Sequence, residues 1–306
     1  MSDSHQGVLD RDGAVEMASH FKDAINLLNE LLDYGTNLIP RAYTSSPKDL
    51  KAICVIFVQL RQFLEHLDGV ATLIASGSPG TANLQLRSLL ETSHVMEWLL
   101  KNDTEAKVNH LYVANLRQRK HWQSTAIPGT TEAARHATAA AAISLNADQL
   151  KEIADEVARI DTLLGQAPFD LINAKFERHY QARNFDEPWY KVYGAASIRK
   201  IADELGKLKE YTYIYSPFSG VSHGSDMWKN IVIGDQNIQV NPLRQPQHIP
   251  GVVRLAASFA LHVYRLVLQE YRAAEEENFS RKYMIEWRTR FFKEYKIELT
   301  PKDIVI

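Results

Sequence analysis

The chain has 306 residues, of which 45% are hydrophobic and 24% charged, and this composition excludes a wholly disordered, collagen-like or coiled-coil protein. The 35 basic and 37 acidic side chains give a net charge of −2, so binding to nucleic acid or to an acidic membrane would need a local patch. The single cysteine, Cys54, lies in an apolar run and excludes an internal disulfide and a thiolate zinc site.

The first seven residues have neither the basic start nor the apolar stretch of a secretory signal. The apolar runs are broken by Gln59 and Arg61, and they are shorter than the ~20 residues that a membrane span needs. We therefore expect a soluble protein of the reducing cytoplasm with no membrane partner.

Apolar residues recur at helical spacing through most of the chain. The first such series begins near Met17, and Gly35 and Pro40 predict its end. The same spacing predicts further helices over 47–75, 81–101, 105–123, 147–164, 169–182, 195–207, 209–222, 250–277 and 280–295.

Two segments depart from this pattern. Seven of the ten residues from Ala133 to Ala142 are alanine, which favours helix but supplies little apolar volume. The runs 231–233 and 238–240, on either side of a Gly234-Asp235 turn, predict a small β-hairpin. The sequence thus predicts one all-α domain over 1–306, a multi-helix bundle with a hairpin insert near 231–240 and an Ala-rich helical insert at about 128–188.

The first candidate site lies on the predicted helix 209–222 and its end. Tyr211, Tyr215, Ser219 and His223 step by four and share one face of a helix. His223 would occupy the last turn before Gly224, where a histidine can act as general acid or base. The alternative is that Ser219 and His223 satisfy each other's hydrogen bonds within a packed helix.

The second candidate site is a charged cluster on the predicted helix 81–101. Arg87 and Glu91 form an i,i+4 pair between residues that otherwise predict a core-facing helix, and His94 follows them. We expect Arg87 and Glu91 to come within hydrogen-bonding reach of the helix that carries Tyr215. The alternative is an intrahelical ion pair on a solvent-facing surface, worth ~0.3–0.5 kcal/mol.

Glu91 and His94 also spell the Glu-x-x-His unit of di-iron helical bundles. Such a centre needs a second unit of this kind and two more carboxylates, and the sequence has no second Glu-x-x-His. The sequence therefore predicts neither a metal nor another cofactor.

Together, Arg87-x-x-x-Glu91 and the later run Tyr215-x-x-x-Ser219-x-x-x-His223-Gly224 resemble the bacterial family catalogued as domain of unknown function 5677. The resemblance spans about residues 50–275. It implies an all-α fold in which arginine, glutamate, serine and histidine are brought together, and it implies no particular reaction.

A looser resemblance is to the HEPN superfamily of helical ribonucleases, whose members pair an arginine and a histidine on RNA without a metal. Arg61 and His66 have the spacing of that motif, and Arg117 and His121 are one residue short of it. However, residues five apart lie about 140° apart around a straight helix, so Arg61 and His66 do not share a face.

The last predicted helix combines six basic and two acidic residues with five aromatic ones between 281 and 296. Such a combination suits RNA phosphates and stacked bases. Tyr283, Trp287, Phe291 and Tyr295 also step by four, which is typical of a stripe that faces a core or a second subunit. We expect a twofold homodimer through the C-terminal helices, about 250–295.

Two functional classes remain open. One is a metal-independent, ribonuclease-like effector in which His223 acts as acid and base, Ser219 and Tyr215 orient it, and Arg87, next to Glu91, holds a phosphate. The other is a non-catalytic helical binding or assembly module whose polar cluster fixes how its helices pack.

Overall fold

A computed structural model describes residues 8–45, 51–138, 144–223, 227–233 and 238–295. Helices dominate these residues, so the predicted all-α class is confirmed. The described residues form two compact units: one comprises the described residues up to Lys101 together with those from Ile198 onward, and the other comprises Asn102 to Ser197.

The helices of the first unit include the longest ones among the described residues. Their bounds are α1 Arg11–Ser19, α2 Lys22–Ser45, α3 Lys51–Ala75, α4 Pro79–Lys101, α9 Ile198–Glu204, α10 Leu208–His223, α11 Ile249–Tyr271, α12 Glu276–Lys282 and α13 Arg288–Phe291. The second unit contains α5 Thr104–Ser124, α6 Thr131–Arg135, α7 Ala147–Leu164 and α8 Phe169–Arg183.

The core of the first unit lies where α2, α3, α4 and α11 pack against one another. The apolar spacing of α3 explains its place there, because its residues at steps of three and four are all buried: Ile53, Ile56, Phe57, Leu60, Phe63, Leu64 and Leu67. Helix α10 packs on α4, and this contact positions the candidate site.

The predicted end of the first helix at Gly35 and Pro40 is wrong, because the corresponding helix of the structure, α2, continues to Ser45. Proline inside a helix removes one backbone hydrogen bond and costs about 3 kcal/mol. Packing of α2 against α3 and α11 offsets this cost, and Leu38 and Ala42 on either side of Pro40 are fully buried. Burial of α2 in the folded protein thus outweighs the local tendency of Gly35 and Pro40 to end a helix.

The predicted C-terminal helix boundaries are also wrong. Helix α11 ends at Tyr271 instead of about 277, and α12 continues into a π-helical turn, Tyr283–Trp287, before α13. Trp287 is buried, and its indole nitrogen donates to Glu30 Oε2 at 3.2 Å. Arg290 donates to both carboxylate oxygens of the same Glu30, at 2.7 and 2.6 Å, so α13 and the π-helical turn before it are bound to α2.

Two short segments, Ile231–Ile233 and Ile238–Val240, pair antiparallel with Ile231 opposite Val240. They fall where the sequence predicts the hairpin. The connecting residues 234–237, including the predicted Gly234-Asp235 turn, lie outside the described residues, so the hairpin as a whole stays a prediction.

The second unit has a core of its own between α5, α7 and α8. The residues buried there are Val113, Leu116, Ile160, Leu164, Phe169, Ile172 and Phe176. Helix α7 begins with a capping box, in which the Asn146 side chain and the Gln149 side chain each accept from the other's backbone N–H. This unit starts at Asn102, whereas composition alone suggested an insert from about 128. Four of the seven alanines of the Ala-rich run, at 139–142, lie outside the described residues.

One stretch of the described residues, Pro246–Tyr271, is long and apolar enough by composition to cross a membrane. Its most apolar window is 56% buried within the protein, and the core helix of a soluble protein passes the same test. Solubility and the cytoplasmic location stay predictions.

Candidate functional site

A line of polar side chains runs along the contact between α4 and α10 and ends at α11. We call this line the polar seam. Its members are Arg87, Glu91, His94 and Glu97 of α4, Lys207, Glu210, Tyr211 and Tyr215 at and after the start of α10, and His262 of α11. The four α4 residues follow one another at steps of three or four, so one face of a helix presents them all.

The first end of the polar seam is an Arg87–Tyr215 contact. Arg87 Nη2 donates to the Tyr215 hydroxyl oxygen at 2.6 Å, and the guanidinium carbon lies 4.4 Å from the centre of the Tyr215 ring. Arg87 Nε also donates to Glu91 Oε1 at a long 3.4 Å. The structure thus brings Arg87 and Tyr215 into direct contact, and Glu91 joins them through Arg87.

This end of the seam is partly open to solvent, since the side chains of Arg87 and Glu91 are 24% and 32% exposed. The Tyr215 ring stacks on that of Tyr211, with centroids 4.5 Å apart and planes 14° apart. Burial raises the pKa of Tyr211, so its hydroxyl keeps its proton at neutral pH. The stacked rings form a rigid apolar wall beside a fixed guanidinium.

The other two predicted site residues lie further along α10. Ser219 is one turn beyond Tyr215 and partly exposed. His223 is the last residue of α10, and its side chain, like Gly224, lies outside the described residues. Helix α10 continues through Pro217, so the backbone is helical from Tyr215 to His223. Residues at steps of four therefore share one face of this helix. Convergence of Ser219 and His223 with Arg87 stays a prediction.

His94 lies in the middle of the polar seam and is completely buried. Neither of its ring nitrogens has a hydrogen-bond partner among the described residues, and Nε2 lies 3.6 Å from Glu210 Oε1, too far for a hydrogen bond. The proximity of His94 lowers the pKa of Glu210 against the opposing effect of burial, and Lys207 lowers it further.

At the far end of the polar seam, Glu97 meets Lys207 and His262. Glu97 Oε2 lies 2.5 Å from Lys207 Nζ and 2.7 Å from His262 Nε2, and the last two atoms are 2.9 Å apart. Because an ammonium only donates and a carboxylate only accepts, His262 Nε2 either accepts from Lys207 or donates to Glu97. The hydrogen of a neutral His262 ring therefore lies on Nδ1 in the first case and on Nε2 in the second.

The sequence does not predict the cluster of Glu97, Lys207 and His262, which we call the Glu97 trio. Its members come from three helical regions separated by 55 to 165 positions. Lys207 is an ordinary residue at the end of the predicted helix 195–207, and His262 lies in a mostly apolar helix. A signal was present only at Glu97, which continues the polar spacing of Arg87, Glu91 and His94.

The two arginines of the second resemblance, Arg61 and Arg117, form ion pairs with acidic side chains among the described residues. Arg61 is 71% exposed and pairs with the equally exposed Glu65, while His66 Nδ1 bonds to Gln85 Oε1 at 2.8 Å. In the second unit, Arg117 is almost buried and donates to both carboxylate oxygens of Asp186 at 2.9 Å. These arginines are committed to structural ion pairs.

No group of three or more histidine, cysteine, aspartate or glutamate side chains among the described residues is arranged to hold a metal ion. Residues 54–239, more than half of the chain, match the profile of a family described as a family of unknown function (DUF5677). Comparison with curated proteins and with solved structures finds no match.

Proposed function

The chain belongs to the DUF5677 family of unknown function, so its activity has to be inferred from its own residues, and we propose that it cleaves RNA without a metal at the Arg87 end of the polar seam. One observation carries this proposal: a partly exposed guanidinium is held in place by Tyr215 and Glu91 instead of being buried or free to move. A fixed cation of this kind suits a phosphodiester, whose negative charge increases during cleavage.

The proposed reaction is attack by the RNA's own 2′-hydroxyl. A bond forms between the 2′-oxygen and phosphorus, the bond from phosphorus to the 5′-oxygen breaks, and a proton moves from the former oxygen to the latter. Arg87 would stabilise the charge on the phosphate, and His223 would exchange the proton. The products would be a 2′,3′-cyclic phosphate and a 5′-hydroxyl end.

Arg87→Lys tests this proposal. We expect the wild-type protein to cleave single-stranded RNA in the presence of EDTA, and Arg87→Lys to lower the rate about tenfold, since lysine keeps the charge but not the planar fork of donors. The measurement is cleavage of end-labelled RNA resolved on a denaturing gel, with the chemistry of the product ends determined.

Arg61→Lys is the matched control, because Arg61 also forms an i,i+4 pair with a glutamate but lies on an exposed surface. Its rate should equal that of the wild type. Absence of metal-independent cleavage by the wild type, or equal rates for the two variants, would contradict the proposal.

A second candidate function is a non-catalytic assembly module. It is supported by exposed apolar side chains near the end of the chain: Met284 is 55%, Ile285 72% and Phe292 56% exposed. Apolar side chains grouped at one surface often mark a contact with another protein. Trp287, which belongs to the predicted C-terminal stripe, does not take part, since it is buried within the chain.

For the assembly module, we expect light scattering at micromolar concentration to give twice the monomer mass of 34.8 kDa. Ile285→Glu should convert this dimer to a monomer, because a charge would be buried at the contact. The control is Val58→Glu, at a residue that is similarly exposed on α3. A monomeric wild type, or a dimer unaffected by Ile285→Glu, would refute assembly through this surface.

A further inference from the structure

The second unit contains a pocket of about 60 Å³ that belongs to neither candidate function. The side chains that matter in it are His110, Lys175, Phe176, His179, Glu187 and Trp189. A pocket of this size has room for several water molecules or for the edge of a small planar group. Its lining mixes hydrogen-bonding groups with aromatic walls, as is typical of ligand sites.

The innermost polar group is His110, whose side chain is only 9% exposed. Its Nδ1 lies 2.9 Å from the Ala106 carbonyl oxygen and 2.9 Å from the Tyr193 hydroxyl. A carbonyl oxygen only accepts, so Nδ1 carries the ring hydrogen. The opposite nitrogen, Nε2, is buried and has no hydrogen-bond partner in the described part of the chain.

Burial lowers the pKa of His110, opposed by its bond to the Ala106 carbonyl and assisted by the charge of Lys175. The imidazole is therefore neutral at pH 7, and Nε2 keeps its lone pair. A buried acceptor without a donor costs about 1–3 kcal/mol, so this nitrogen is a favourable partner for a donor that enters the pocket.

His179 repeats this arrangement nearer the surface. Its Nδ1 lies 3.0 Å from the Phe185 carbonyl oxygen, and its Nε2 lies 3.7 Å from Glu187 Oε2, too far for a hydrogen bond. The other carboxylate oxygen of Glu187 is bound by Lys191 at 2.9 Å. The pocket thus offers acceptors to a ligand that carries N–H donors.

The surrounding charge argues against a cationic ligand. Lys175 lines the pocket, and Lys191 and Arg183 both act on Glu187, so three cations accompany one carboxylate. A metal is not favoured either, since no three ligating side chains among the described residues are close enough to share one. The ligand class that remains has two parts. An uncharged planar group with N–H donors enters the pocket, and a negatively charged group stays outside the pocket.

From these groups we infer that the pocket binds a nucleotide whose base carries an exocyclic amino group, adenine or cytosine. The amino edge of the base enters the pocket beside Trp189 and Phe176, its amino group donates to His110 Nε2, and the phosphate faces Lys175. The site lies wholly within the second unit, and its occupation does not depend on whether the polar seam cleaves RNA.

The direct test is nuclear magnetic resonance of protein labelled with ¹⁵N-histidine. We expect AMP to change the Nε2 resonance of His110, and N6,N6-dimethyl-AMP, which lacks the amino hydrogens, to bind at least tenfold more weakly. A 2′-O-methyl oligoadenylate, which has no 2′-hydroxyl for cleavage, distinguishes a strand from a free nucleotide. Binding of either source through His110 supports the site.

Three variants make the test specific. His110→Leu should weaken AMP binding about tenfold, whereas His110→Gln, which keeps an acceptor, should weaken it less. Lys175→Ala changes an exposed side chain and provides a second test should both His110 variants unfold, with several-fold weaker binding expected. The inference is overturned by absence of binding at millimolar concentration, by equal binding of dimethyl-AMP, or by an unchanged His110 resonance.

Discussion

Replacing Glu97 by glutamine should lower the free energy of unfolding at pH 7 by about 3 kcal/mol. The Glu97 carboxylate is 20% exposed and is the only acid in contact with both Lys207 and His262 among the described residues. A glutamine would remove the carboxylate that the Lys207 ammonium contacts directly, and this ammonium is itself only 22% exposed. Urea unfolding followed by circular dichroism measures the change.

The same substitution should remove part of the acid sensitivity of the protein. Burial raises the pKa of Glu97, but hydrogen bonds from His262 and Lys207 outweigh this effect and lower the pKa to about 2, from an ordinary value of 4.5. A lowered folded-state pKa stabilises the protein above the unfolded-state pKa, and this stabilisation is lost as the pH falls from 4.5 towards 2. The difference corresponds to roughly 3 kcal/mol.

We therefore expect the stability difference between wild type and Glu97→Gln to be largest above pH 5 and to shrink as the pH falls towards 3. Glu65→Gln is the control, because Glu65 also pairs with a cation but is 64% exposed. Its effect should stay below about 0.5 kcal/mol. If the free energies of unfolding of wild type and Glu97→Gln differ by the same amount at every pH, the Glu97 carboxylate does not make stability depend on pH in the expected way.

The helical spacing of polar residues explains which part of the candidate site the sequence predicts. The sequence predicts a contact between Arg87 and the helix of Tyr215, because each of these polar residues lies on an otherwise apolar helix. Two polar faces of this kind are stabilised when they form hydrogen bonds with each other. Periodicity reports which face a residue is on, but not which other helix covers that face. For this reason the sequence does not predict that His262 contacts Glu97, although His262 Nε2 lies 2.7 Å from Glu97 Oε2.

The misplaced helix end at Gly35 has a related cause. Glycine lowers local helix propensity, and sequence reasoning treats it as a stop signal. In the folded protein, Gly35 is buried within α2 beside Tyr264 of α11, a residue 229 positions away. The reason for a glycine at this position is therefore steric and long-range, and a single sequence does not contain it.

Gly35→Ala should consequently destabilise the protein by about 2 kcal/mol, although the same change in an open helix is stabilising by up to about 1 kcal/mol. An added Cβ would lie 2.3 Å from the Tyr264 hydroxyl oxygen and 2.5 Å from Leu64 Cδ2. Tyr264 is fully buried, and its hydroxyl donates to the Leu31 carbonyl oxygen at 2.8 Å, so it cannot move without losing this bond.

Gly80→Ala is the matched control, because Gly80 also lies in a helix but has nothing within 4 Å of an added Cβ. Its stability should equal or slightly exceed that of the wild type. Combining Gly35→Ala with Tyr264→Phe, which removes the nearest clashing atom, should cost about 1 kcal/mol less than the sum of the two single changes. If Gly35→Ala unfolds at the wild-type urea concentration, the close approach of α2 and α11 at this position is refuted.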